Sequence, residues 1–142
     1  MNIKLTTRIL ALLLLTCFIL PANAKVIDQA TAEKAAKNYM FEKLSQKKHV
    51  TYNDVVVSTT YSVTDNGTPV YYGVNFRDGG FVIITADDIV KPVIGYSPSG
   101  LFKFEMSQDN FASWMNIAKE QIVSARSQGV SANARISSSG WA

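Results

Sequence analysis

Apolar and polar positions alternate between two periods along this chain, and the changes of period mark its elements. From Asp28 or Thr31, either able to cap a helix, to about Leu44, apolar residues recur at helical spacing: Ala32, Ala35, Ala36, Tyr39, Met40 and Leu44. Glu33, Lys37, Glu42, Lys43 and Lys47 fall mostly on the opposite face. From Asp54 to Val63 the period shortens to two, with Val55, Val57, Thr59, Tyr61 and Val63, as in a half-buried strand. Asp65-Asn66-Gly67 predicts a tight hairpin, and Pro69–Phe76 is the returning strand. Asp78-Gly79-Gly80 turns the chain into Phe81–Thr85, which is apolar on both faces and therefore central in a sheet. Asp87-Asp88 interrupts, Pro92–Ser97 predicts a further short strand, and Ser99-Gly100 closes it. A second helix is predicted from about Asp109 to Ala125, capped by Ser107 or Asp109. Phe111, Trp114, Met115, Ala118, Ile122 and Ala125 form its apolar stripe.

Turns this short between successive strands require antiparallel neighbours, because parallel ones need long crossovers. The expectation is an α+β fold: an antiparallel meander of about four strands with two main helices packed on one face.

Length and composition refine this. At 142 residues the chain allows one domain. Lys4 and Arg8, the apolar run Ile9–Leu20 and the small-x-small site Ala22-Asn23-Ala24 make residues 1–24 a secretory signal peptide, with cutting expected before Lys25. A lipoprotein reading would make Cys17 the acylated first residue, but Thr16 fits poorly before it and the apolar run continues beyond. On cutting after Ala24 the mature chain loses its single cysteine, and with it any disulfide or thiolate chemistry. Residues 1–24 carry two of the 14 Lys+Arg and none of the 11 Asp+Glu, leaving a formal charge of +1 beyond them. That near-neutral, scattered charge offers no footprint for nucleic acid, and no membrane association is expected once the signal is removed. The expected organisation is a domain over residues 25–126 and a flexible Ser-, Ala- and Gly-rich tail over 127–142, in a secreted or periplasmic monomer.

Catalytic chemistry finds few candidates. His49, the single histidine, ends the first helix beside Lys47 and Lys48 and has no evident orienting carboxylate. Asp87 and Asp88, as neighbours in extended chain, diverge rather than share a proton, so a turn role is expected. Gly79-Gly80 lacks the Lys-Ser/Thr of a phosphate loop and precedes a strand. No metal, no cofactor and no enzymatic activity are expected. The Ala-rich helix face reads as packing on the domain's own sheet, with partner docking as the alternative. Tyr61, Tyr71 and Tyr72 would serve a generic secreted binding module.

The stretches Gly-Gly-Phe-Val-Ile-Ile-Thr-Ala-Asp-Asp (79–88), Pro-Val-Ile-Gly-Tyr-Ser (92–97), Gly-Leu-Phe (100–102) and Asp-Asn-Phe-Ala-Ser-Trp-Met (109–115) closely resemble the prodomain of streptopain-type, papain-like cysteine proteases. They resemble equally the free-standing streptopain inhibitors that copy that prodomain. The resemblance implies a non-catalytic domain whose partner is a streptopain-like cysteine protease. In the family's prodomain, the asparagine opening the second helix sits at the protease's active centre and helps hold the catalytic histidine out of position. The matching residue is Asn110, flanked by Asp109 and Phe111. A neutral amide can donate and accept there without burying a charge. The connector from Gly100 to Asp109 would line the cleft, with Leu101, Phe102 and Phe104 either anchoring in the partner or buried in the domain's own core. A zymogen would continue into a catalytic domain, whereas this sequence stops at Ala142. A dedicated inhibitor and a truncated propeptide acting as folding assistant therefore both remain open. Inhibition in trans lacks the effective concentration of a linked prodomain and needs an interface of at least about 1,000 Å².

Overall fold

The computed structural model describes residues 25–103 and 110–128. Helix α1 spans Gln29–Ser45, strand β1 Val57–Asp65, β2 Thr68–Phe76, β3 Phe81–Thr85, β4 Val93–Ser97, and helix α2 Asn110–Ser127. The strands form one sheet in the order β1-β2-β3-β4, each pair antiparallel, so the α+β meander expected from the turns is the observed topology.

Local chemistry sets the ends of these elements. Asp28 caps α1, its carboxylate accepting from the Thr31 backbone N–H at 2.8 Å. Asn66 and Gly67 have φ of 47° and 79°, the double positive-φ step of a two-residue hairpin turn, and Asp65 pairs directly with Thr68. The first strand starts at Val57, three residues later than the alternation suggested. Tyr52–Asp54 instead forms a single 3₁₀ turn, in which Thr51 and Asp54 cap one another. Gly80, at φ 89°, donates its N–H to the Gly100 carbonyl at 2.8 Å, and a β-carbon there would stand 2.9 Å from the Ser97 oxygen. Only glycine fits that corner.

The two helices lie on opposite faces of the sheet, which corrects the expectation that they share one. Ala32, Ala36 and Met40 of α1 pack with Tyr72, Val74 and Phe76 of β2 and Val82 and Ile84 of β3. Met115 and Ile122 of α2 pack with Val63, Val70, Tyr71 and Ile83, together with Phe102. The cause is visible in β2 and β3: both sides of these central strands are apolar, and one helical layer covers only one side. Trp114, expected to point inward, is 44% exposed. The buried stripe of α2 runs through Met115 and Ile122, with Phe111 half-buried, and Trp114 stands at its margin against Gly95 of β4.

Residues 25–27 run beside the chain that follows β3. Val26 bridges Asp87, and Ile27 donates its N–H to the Ala86 carbonyl. The buried Tyr72 hydroxyl donates to the Ile27 carbonyl at 3.0 Å, and burial pushes that phenol's pKa up, with Asp28 a lesser cause. The expected signal peptide, the caps Ser107 and Asp109, Phe104 and nearly all of the expected tail lie outside the described residues; α2 itself runs to Ser127.

Candidate functional site

The face of the sheet that carries α2 also carries the connector leaving β4. Residues 101–103 lie across β2, and the side-chain amide of Asn75 fixes them there. Its Nδ2 donates to the Phe102 carbonyl at 2.9 Å, and its Oδ1 accepts the Phe102 N–H at 2.7 Å. Asn75 is 3% exposed, so both bonds are shielded from water, and the amide stands in for a strand partner of the connector. Beneath the Phe102 ring is Gly73, where a β-carbon would collide with the ring atoms.

Phe102 is itself 3% exposed and sits among Tyr61, Phe81 and Phe111, with ring centroids 6.3, 5.9 and 6.4 Å away. Of the two roles open to it, it takes the place in the domain's own core. The neighbouring Leu101 is the exposed one, at 49%. Phe111 links the cluster to Trp114, 5.9 Å from it. Two grooves flank the Phe102 ring. One of about 690 Å³ runs along β1 past Ser58, Tyr61, Leu101 and Lys103. Another of about 320 Å³ lies towards α2, past Val63, Phe111, Met115 and Lys119.

Polar fasteners hold α2 at its middle and its end. Lys119 pairs with Asp65 at the hairpin tip at 3.1 Å. Arg126 donates from Nε to Asp87 at 2.8 Å and from its terminal nitrogen to the Pro69 carbonyl at 2.9 Å. Asp87 is completely buried, so the interruption read from sequence as a turn contains an ion pair tying the β3–β4 connection to the last turn of α2. Sequence reading missed this pair. Its partners are 39 residues apart, and only an acidic residue two positions beyond a largely apolar strand hinted at it. Asp88 points away from that pair and accepts the Lys25 backbone N–H at 2.9 Å.

Of the four residues singled out from sequence, the structure brings Phe102 and Phe111 together. Asn110 is the first residue of α2, and Asp109 lies outside the described residues. Among the described residues, no three His, Cys, Asp or Glu side chains gather as a metal site would require. His49 lines a separate small cavity with Asp54 and Asp78.

The family model described as Spi protease inhibitor matches residues 24–122. Streptopain of Streptococcus pyogenes serotype M1 is 32% identical over 126 residues, which cover 84% of this chain and 31% of the relative. The chain thus spans about a third of the relative's length. No solved structure matches.

Proposed function

The chain belongs to the Spi protease inhibitor family, and from that membership we propose that it is an exported, non-catalytic inhibitor of a streptopain-like cysteine protease. It binds reversibly over the active-site cleft with the start of α2 and the connector before it. Residues 1–24 act as its signal peptide, and the mature domain works as a monomer, without metal or cofactor.

The observation that carries this reading is the family match, because it spans the connector and most of α2 together. The local architecture is compatible with a plug. The chain before positions 104–109 is pinned through Asn75 and Phe102, and the chain after them enters a helix fastened by Lys119 and Arg126. Pre-organised flanks lower the ordering cost that a partner binding without covalent linkage must meet. On this reading Asn110, with Asp109 and Phe111 beside it in sequence, takes the role that the family resemblance implies, meeting the displaced catalytic histidine, while Phe102 serves as internal support.

The test is direct. Excess mature domain mixed with a streptopain-like protease suppresses turnover of a small substrate, and Asn110→Ala weakens that suppression with the fold intact. Full activity across a panel of such proteases, including any encoded beside this gene, defeats the reading. Unchanged inhibition by Asn110→Ala removes that residue alone. A second reading, a propeptide acting as folding assistant, is favoured by the match to one third of streptopain. It predicts faster refolding of a denatured catalytic domain with little inhibition of the native one.

A further inference from the structure

We propose that Asp88 is the receptor for the α-ammonium group that signal removal creates at Lys25, so that processing adds an ion pair the precursor lacks. The inference is independent of the inhibitory reading and rests on the cut after Ala24.

The Lys25 backbone nitrogen lies 2.9 Å from Asp88 Oδ1, and the Asp88 N–H returns a bond to the Lys25 carbonyl at 3.3 Å. In the uncut chain that nitrogen is a neutral amide with one N–H. After cutting between Ala24 and Lys25, hydrolysis leaves a carboxylate on the released leader and a protonated amine on the domain. The same nitrogen then carries a positive charge and three donors, with a carboxylate oxygen already at contact distance. Charge-assisted bonds of this kind are about twice as strong as neutral ones.

Register makes the arrangement selective. Each residue of extended chain advances about 3.3–3.6 Å, so a start one residue earlier carries the charge away from Asp88. A start one residue later deletes both Lys25–Asp88 bonds. Only residue 25 places the charge at the nitrogen that faces the carboxylate.

The adjacent acids thereby take different cations. Asp87 holds the Arg126 guanidinium on the buried side, and Asp88 holds the chain terminus on the outer side. Val26 bridges Asp87 between them, so the terminus and the last turn of α2 are fastened to the same short segment.

The experiment compares chains released from a cleavable fusion to start at Lys25 or at Ala22, each with Asp88 and with Asp88→Asn. The Lys25 ε-ammonium is common to all four and cancels. In low salt the Lys25 start melts about 2–5 °C above the Ala22 start, in line with an exposed ion pair. The gap closes in Asp88→Asn and shrinks in 1 M salt. Equal melting temperatures, or a gap that survives Asp88→Asn, overturn the proposal. So does a protein exported under its own leader whose mass shows a first residue other than Lys25.

Discussion

The two faces of the sheet are built on different principles. On the α1 face, alanines at positions 32 and 36 bring the helix close to β3 with no exposed surface, and Met40 fills the remaining space. Its polar contacts are mainly caps and hydrogen bonds near the periphery, such as Asp28 with Thr31 and Tyr52 with Asn38. On the α2 face, fewer buried apolar residues are supplemented by specific polar fasteners: Asn75 to Phe102, Asp87 to Arg126, and Asp65 to Lys119. That face leaves Leu101, Trp114 and Ile117 exposed. Close packing makes one side a foundation. Fastening by a few directed bonds lets the other side present residues outward while keeping their backbone in place.

The comparison breaks hardest at Arg126. Arg126→Ala leaves the Asp87 carboxylate buried without its cation and should cost about 3 kcal/mol, seen as a lower urea midpoint. The paired replacement Asp87→Leu with Arg126→Met should recover most of the loss, since apolar residues of similar size substitute well for a buried ion pair. A cost below about 1 kcal/mol for Arg126→Ala would mean that apolar packing alone holds α2.

Asn75→Ala comes next. It strands the buried Phe102 N–H and carbonyl and should cost about 2 kcal/mol, with faster amide exchange at Phe102. Met40→Ala on the other face is the matched control, destabilising by about 3 kcal/mol through its cavity. Measured where all variants stay folded, Asn75→Ala should impair protease inhibition and Met40→Ala should not. Equal impairment would erase the functional distinction between the faces.

Much of this division could be read from the residues, and the part that could not has a physical cause. Periodicity located both helices and the four strands because burial imposes spacing on each element separately. The Asn66-Gly67 hairpin was legible because its geometry restricts which residues fit. The face taken by α2 was not, although the two-sided apolar character of Phe81–Thr85 already required cover on both sides. Trp114 was misplaced because a helical stripe has margins: at i+3 from Phe111 it is as near the exposed side as the core. Asn75 and Asp87 gave almost no signal, since a long-range polar bond leaves no period in the sequence. Asn110 was singled out through resemblance, and its position opening α2 was the part that spacing could supply.

Ile117 sharpens the comparison with a smaller effect on the fold. At 52% exposed, its replacement by serine should shift stability by less than about 0.5 kcal/mol. If the protease meets the outer side of α2 beyond its first turn, the same change should reduce inhibition about tenfold, as loss of an apolar interface contact does. Inhibition that does not move would confine the interface to the helix start and the connector.

The smallest expected effect belongs to the foundation side and is read by acid titration. Hydrogen bonds from the Thr31 backbone and then its hydroxyl hold Asp28 below its ordinary pKa of 3.8, and the Thr51 hydroxyl and backbone do the same for Asp54. A carboxylate whose folded pKa is depressed contributes stability that is complete above its unfolded value and drains away as pH falls through the folded one. The wild-type chain should therefore lose these contributions below about pH 4, and Asp28→Asn should flatten part of the decline in unfolding midpoint there. Both groups are exposed, so the change should be slight and uniform across salt concentrations, because neutral hydroxyl and amide donors supply it. A decline unaltered in Asp28→Asn would remove the Asp28 cap as a source of acid sensitivity and leave Asp54, tested by Asp54→Asn, as the group responsible.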